Sequence, residues 1–329
     1  MVVKLQQLDS RMIRWDFTRF KTRNCPICDT KNEKTTYLRP DNCEVKSCFK
    51  CGCYYISPAP SVSQLSEFYQ NYHKDHFGGN VRYDVSKLRW DAENIYPVDD
   101  PRLIFLSEDM KIVQSAEYSV LDFGCGTGAF LYQAKLAGAK VSGIELDESA
   151  VNVCHQLGLD AVEAGGIDAL ESVKDRFNLI VLNDVIEHPL APGILMENLA
   201  SILAENGKIM IWTPNGDAID NDRDKVSLRV DLEHMQYLTT GAIKELSFQN
   251  DLDIVHYAQL GYPSEDHFIK YKSHKSVGSR VKFALVKIVK FFRLDGRINQ
   301  VLKFIRISAS KNRRHNGNYH LYTILKKAS

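Results

Sequence analysis

Residues 118–145, YSVLDFGCGTGAFLYQAKLAGAKVSGIE, decide how the rest of the chain is read. SVLDF is a short apolar run ending in glycines and reads as a strand. AFLYQAKLA has helical spacing, and AKVSGIE reads as a second strand. A strand that passes through a glycine-rich bend into a helix and returns as a strand begins a doubly wound parallel sheet. In the bend, Asp122-Phe-Gly124-Cys125-Gly126-Thr-Gly128, glycines let the backbone turn tightly and approach a ligand closely. Glu145 ends the second strand, where a carboxylate can accept hydrogen bonds from both hydroxyls of a ribose.

The bend has the spacing G-x-G-x-G, not the G-x-G-x-x-G of dinucleotide folds, and an acid precedes its first glycine. Beside a pyrophosphate Asp122 would be repulsive. Beside the cationic amine and sulfonium of S-adenosylmethionine it would be favourable. Downstream the alternation continues. Residues 148–157 read as a helix, 160–163 as a weak strand, and FNLIVLND (177–184) as a strand buried on both faces. A helix over 192–203 is expected to close at Asn206-Gly207, followed by the strand GKIMIWT. Residues 239–249 read as helical, and 251–258 and 318–327 as the last strands.

Upstream, Cys25-Pro-Ile-Cys28 and Cys48-Phe-Lys-Cys51 are two C-x-x-C hooks. Four thiolates at this spacing suit a tetrahedral structural zinc with no open position for water; a redox-active pair is the alternative. Cys43 and Cys53 are expected to be small buried residues, and Tyr54 to Ile56 a strand. Trp15, Phe17 and Phe20 are packing points in a polar lead-in. Leu65, Phe68, Tyr69 and Tyr72 recur at helical spacing, and helix resumes over 102–114. The expected organisation is a zinc-binding module over 1–60, a helical linker region over 61–117, and the catalytic domain over 118–329.

With 329 residues, 44% hydrophobic and 25% charged, the chain can bury one large domain and a small one. No apolar run long enough to span a bilayer and no signal-peptide core is visible, which sets a cytoplasmic expectation. Residues 270–329 hold 16 Lys/Arg against the single acid Asp295, while the rest holds 26 bases and 40 acids. Within an insertion over 262–316, Val281, Leu285, Ile288 and Phe292 fall on one helical face, opposite Lys282, Lys287, Lys290 and Arg293. The segment 275–312 is therefore expected either to meet an anionic membrane surface or to pack its apolar stripe on the body of the protein or on a second subunit.

VLDFGCGTGAFL, GIELDESAV, FNLIVLNDVIEH and NGKIMIWTPN, in that order, resemble the successive motifs of class I S-adenosylmethionine-dependent methyltransferases over about residues 118–260. The resemblance implies an α/β fold, a doubly wound Rossmann-like methyltransferase sheet, here with a small N-terminal zinc-knuckle module. It implies that Asp122, Gly124, Cys125, Gly126 and Gly128 hold the methionine end of S-adenosylmethionine, and Glu145, with Leu146 beside it, the ribose. It places Asn183 and Asp184 at the border of the cofactor and Asp168 at the adenine. Over residues 22–260 the chain also resembles zinc-containing sugar methyltransferases, which place a Glu-His pair where Glu233-His234 stands and use the His as base. The further α/β domain of the C-methylating members has no room here, so a sugar-like hydroxyl is the expected acceptor.

His188 is a second candidate base. In some quinone-type O-methyltransferases the segment matching Glu187-His188 helps bind a divalent metal. Asn183-Asp184-Val185-Ile186 lacks the prolines and aromatic of enzymes that methylate base amines, and the acidic body argues against nucleic acid as a partner. A zinc-containing RNA methyltransferase is the alternative function, and a non-catalytic scaffold a third.

Overall fold

A computed structural model of the chain describes residues 2–8, 13–70, 72, 84–94, 100–113, 117–221, 225–261 and 317–328. The expected basic insertion 262–316 lies outside them. The N-terminal part carries β1 (Val3–Lys4), β2 (Glu33–Leu38), β3 (Glu44–Cys48) and β4 (Tyr54–Ile56). Helices α1 (Val62–Gln70), α2 (Val85–Asn94) and α3 (Pro101–Val113) follow. Then come β5 (Ser119–Phe123), α4 (Ala129–Leu136), β6 (Lys140–Glu145), α5 (Glu148–Gln156), β7 (Val162–Ala164) and β8 (Phe177–Asn183). The chain continues through α6 (Pro192–Ser201), β9 (Leu203–Pro214), α7 (Ala218–Asn221), β10 (Gln236–Tyr237), α8 (Thr240–Gln249), β11 (Leu252–Leu260) and β12 (His320–Lys327).

The main sheet has seven strands in the order β11-β12-β9-β8-β5-β6-β7. From β7 to β9 the pairs are parallel, and β12 inserts antiparallel between β9 and β11. This is the doubly wound Rossmann-like methyltransferase sheet. The strand pattern dictates its core. Leu179, Ile180, Val181 and Leu182 of β8 are all completely buried. Ile180 and Leu182 enter the apolar cluster on one face, Leu179 and Val181 the cluster on the other. Each such side chain contributes about 1.5–3 kcal/mol on burial, so register along this strand is strongly specified.

Helix starts follow local chemistry. Pro101 opens α3 with its φ preset, and Asp100 Oδ1 accepts from the Arg102 N–H at 2.9 Å. Asp147 caps α5 through Ser149 N–H at 2.8 Å. Thr239 caps α8 through Ala242 N–H at 3.1 Å.

Two features depart from the sequence reading. Asn206-Gly207 does not close α6 but lies inside β9, where the pairing with β8 jumps from Phe177↔Leu203 to Leu179↔Lys208. A Cβ on Gly207 would stand 2.6 Å from the Phe177 carbonyl oxygen, so the turn residues serve a tight bulge. The N-terminal region is also richer than one strand. β1-β2-β3-β4-β10 form a second sheet, with β10 contributed from beyond the main sheet's fifth strand. Cys25, Ile27, Cys48, Cys51, Cys53 and Tyr55 pack in one cluster with Leu121, Ile180 and Leu246. Trp15 is buried as a packing point and Phe20 half-buried, whereas Phe17 is exposed.

Candidate active site

The glycine bend leaves β5 at the carboxyl edge of the sheet. Gly124 and Gly128 have φ of +74° and +78°. A Cβ on Gly124 would meet Val185 Cγ2 at 2.6 Å, so only glycine lets the bend lie against the turn after β8. A Cβ on Gly126 would meet nothing within 4 Å, so that position faces open space. Glu145, at the end of β6, accepts from the Gly126 N–H at 2.8 Å and the Asp147 N–H at 2.9 Å. The carboxylate expected at the ribose thus also holds the bend in shape. Leu146 is partly exposed beside it, within reach of Gly166, and the exposed Asp168 opens the short 3-10 turn after β7. Cys125 is buried under the bend and, with Cys154, turns its sulfur toward the Gly126 carbonyl.

Asp122 is 2% exposed, and its Oδ1 has no hydrogen-bond partner. Burial pushes its carboxyl up to about 8, with Arg102 pulling down and Glu145 adding to the rise. An orphaned buried carboxyl beside an open glycine bend fits a cationic ligand group. Arg102, which the sequence reading passed over, spans the same region. It donates to Asp100 Oδ1 and Oδ2, donates to Asn183 Oδ1 at 3.0 Å, and stacks over Trp212 at 4.9 Å. Its guanidinium could pair with a ligand carboxylate at this edge of the sheet. Asp184, with φ +52°, is exposed, 3.8 Å from His320 Nε2.

A folded-state pKa raised above the unfolded value means that Asp122 stabilises the ligand-free fold fully at low pH. That contribution is lost as pH rises from about 4 through about 8. Binding of S-adenosylmethionine near pH 7 should ionise Asp122 and release roughly one proton. Calorimetry in buffers of different ionisation enthalpy should detect it, and Asp122→Asn should abolish it. Equal proton release by both proteins would refute the pairing of Asp122 with the cation.

Beyond β8, the turn over 184–190 and the turn over 231–235 face each other. Glu187 is completely buried, and its Oε2 accepts from Thr213 Oγ1 at 2.8 Å. Its Oε1 lies 3.9 Å from His234 Nε2. Burial raises the Glu187 carboxyl well above its usual range, and Asp184 adds to the rise. The His188 and His234 rings stand 4.9 Å apart. His188 Nε2–H donates to the Asp184 carbonyl at 3.0 Å, so its Nδ1 accepts from the Tyr69 hydroxyl at 2.7 Å. Burial of its ring lowers His188 to about 4, against backbone hydrogen bonds that raise it. One ligand atom from each of Glu187, His188 and His234 lies within 4.8 Å of the others, a set that could hold a divalent metal.

Glu233 and His234, adjacent in the sequence, meet different partners. Glu233 Oε1 accepts from Tyr72 at 2.9 Å, and the carboxylate facing His234 Nε2 is Glu187. Consecutive side chains in a turn splay apart, so sequence neighbours need not share a partner. The helix that follows is capped by Thr239. Tyr69 and Tyr72 were legible only as a helical stripe. The structure makes them a wall over the histidines: the Tyr69 hydroxyl meets His188 Nδ1 and the Tyr72 hydroxyl meets Glu233 Oε1.

The four hook sulfurs converge. Cys25 Sγ and Cys51 Sγ lie 3.5 Å apart, as do Cys28 Sγ and Cys48 Sγ, and all four lie within 4.8 Å of one another. Around a tetrahedral ion with metal–sulfur bonds of about 2.3 Å, sulfurs stand roughly 3.8 Å apart, so the tetrad fits zinc. Cys43 and Cys53 are buried outside it.

Sheet order, glycine bend and terminal carboxylate define the class. A family model for the methyltransferase domain matches residues 96–257, and this region is a class I, S-adenosylmethionine-dependent methyltransferase domain. Among individual proteins, the chain is similar to ubiquinone biosynthesis O-methyltransferases. It is 29% identical over 102 residues to that of Coxiella burnetii, covering 29% of this chain and 43% of the relative. It is 32% identical over 105 residues to that of Idiomarina loihiensis, covering 29% and 42%. The chain thus spans less than half the length of these curated relatives. Among solved structures, the plantazolicin methyltransferase BamL in complex with a triazolic desmethylPZN analog and SAH superimposes with a TM-score of 0.46 at 18% identity, over 80% of this chain and 97% of that one. A SAM-dependent methyltransferase from Archaeoglobus fulgidus gives 0.41 at 17% identity, over 73% and 99%. No helix among the described residues is long and apolar enough to cross a membrane.

Proposed function

We propose that the protein transfers the methyl group of S-adenosylmethionine to a hydroxyl of a sugar or related small molecule, with His234 as the base that accepts the hydroxyl proton. The observation that carries this reading is the meeting of His234, His188 and Glu187 beneath Tyr69 and Tyr72, beside the cofactor bend. Methyl transfer from a sulfonium is an in-line displacement that needs alignment and, for an alcohol, removal of one proton. Asp122 and Arg102 would hold the amine and carboxylate of the cofactor, and Glu145 its ribose; the bound sulfonium supplies the electrophilic methyl. Glu187 faces His234 across 3.9 Å, while His188, with both nitrogens engaged, orients Tyr69. The O-methyltransferase names of the sequence relatives agree with a hydroxyl acceptor. Incubation with methyl-labelled S-adenosylmethionine and a panel of nucleotide sugars and simple phenols tests it. Label on a sugar oxygen is expected; label on phenols alone would replace the acceptor class.

The cysteine tetrad is read as a structural zinc site, and elemental analysis should find one zinc per chain. Cys48→Ser should lose most of that metal and lower Tm by on the order of 10 °C, because the hooks share a core cluster with the main sheet. Full metal content in the variant would refute the ligand set.

A further inference from the structure

The N-terminal sheet does more than flank the catalytic domain. Arg39, directly after β2, is completely buried. Its Nε and Nη2 bind Asp41, the latter at 2.5 Å, and Asp41 is steadied by Trp15 Nε1 at 3.1 Å. The remaining donors leave the module. Nη1 donates to the His234 carbonyl at 2.7 Å and the Tyr237 hydroxyl at 3.0 Å, and Nη2 also donates to the Leu232 carbonyl. Burying an ion pair strips both charges of water before its contacts are counted, and apolar residues of similar volume often serve stability as well. The pair is therefore poorly explained by stability alone. Its contacts single out one short turn, the one that presents Glu233 and His234. That turn starts from Asp231 at φ +46°, a left-handed conformation that a non-glycine residue holds only when its surroundings over-determine it.

A second arginine of the module grips the same turn from the other side. Arg23 donates to the Met235 carbonyl at 2.6 Å, Gln236 Oε1 at 3.2 Å and the Leu190 carbonyl at 3.1 Å. Gln236 Nε2 then donates to the Ile186 and Pro189 carbonyls at 2.8 and 2.7 Å, reaching the turn that carries His188.

We infer that Arg39 is a positioning residue of the acceptor site: by fixing the carbonyls of Leu232 and His234 it sets the direction of the His234 ring toward His188 and Glu187. The inference rests on His234 acting on the acceptor. Through Arg39 the N-terminal module thereby acts as a template for the acceptor half of the site, since the hydrogen bonds of Arg39 go to Asp41, Leu232, His234 and Tyr237 and not to the glycine bend or Glu145.

The test uses the full chain with histidine-selective isotope labels and S-adenosylhomocysteine as probe. Arg39→Lys keeps the charge against Asp41 but cannot fork to two carbonyls. Arg39→Met with Asp41→Leu removes the charges together, so that folding is preserved even if the lysine variant fails. In the parent, ring protons of His188 and His234 should show a nuclear Overhauser contact. In both variants that contact should be lost and the His234 ring signal shifted, while affinity for S-adenosylhomocysteine stays within about threefold. With a methyl acceptor from the sugar panel, kcat should drop tenfold or more at unchanged KM for S-adenosylmethionine. An intact His188–His234 contact in either folded variant overturns the inference. Failure of the parent to bind S-adenosylhomocysteine would instead sink the cofactor reading, a separate outcome.

Discussion

Glu145→Ala should weaken S-adenosylhomocysteine binding by roughly 30- to 150-fold. The carboxylate would lose hydrogen bonds to two ribose hydroxyls. A hydrogen bond to a charged group is worth about 1.5–3 kcal/mol, partly offset here because water solvates the ligand-free carboxylate. A net loss of about 2–3 kcal/mol corresponds to that range at ~1.4 kcal/mol per tenfold. The same oxygens also hold the Gly126 and Asp147 amides at 2.8 and 2.9 Å, so the substitution loosens the bend as well. Glu145→Gln separates the two effects: it retains an acceptor for Gly126, and about a tenfold loss is expected. Calorimetry reads both, and unchanged affinity in the alanine variant would refute the ribose assignment.

His234→Ala should cut kcat by about 10²- to 10⁴-fold, the usual range for losing a positioned general base. Cofactor affinity should stay unchanged, because the groups that the His234 ring faces are Glu187, His188 and Tyr237. The rate–pH profile separates the two imidazoles. His188 is lowered to about 4 and is therefore neutral throughout pH 5–8. It contributes no limb there, and His188→Asn should keep the profile's shape in that window even if the rate falls. A variant lacking the His234 ring that turns over at the parental rate removes it from the proton path and leaves Tyr69 or water in its place.

Much of the architecture was legible in the chain because it is local. Alternating βα patterns, the glycine bend and the carboxylate at the end of β6 depend on periodicity and on backbone requirements within a few residues, and they match the observed elements closely. The paired hooks were legible because four thiols at that spacing suit one ion, and the structure gathers them within 4.8 Å. Asn206-Gly207 shows the limit of such reading. The dipeptide favours a turn, yet pairing with β8 absorbs it as a bulge.

By itself the sequence determined the sheet, the bend and the identity of the groups available for chemistry. Only the tertiary structure decided which of them meet. Tyr69 reaches His188 across 119 residues, and Arg39 reaches the His234 carbonyl across 195. Glu187, not the adjacent Glu233, faces His234 Nε2. Periodicity specifies which face of an element is apolar, but not which distant polar group will share a buried space. That choice is made when the faces pack and each buried donor and acceptor must find a partner.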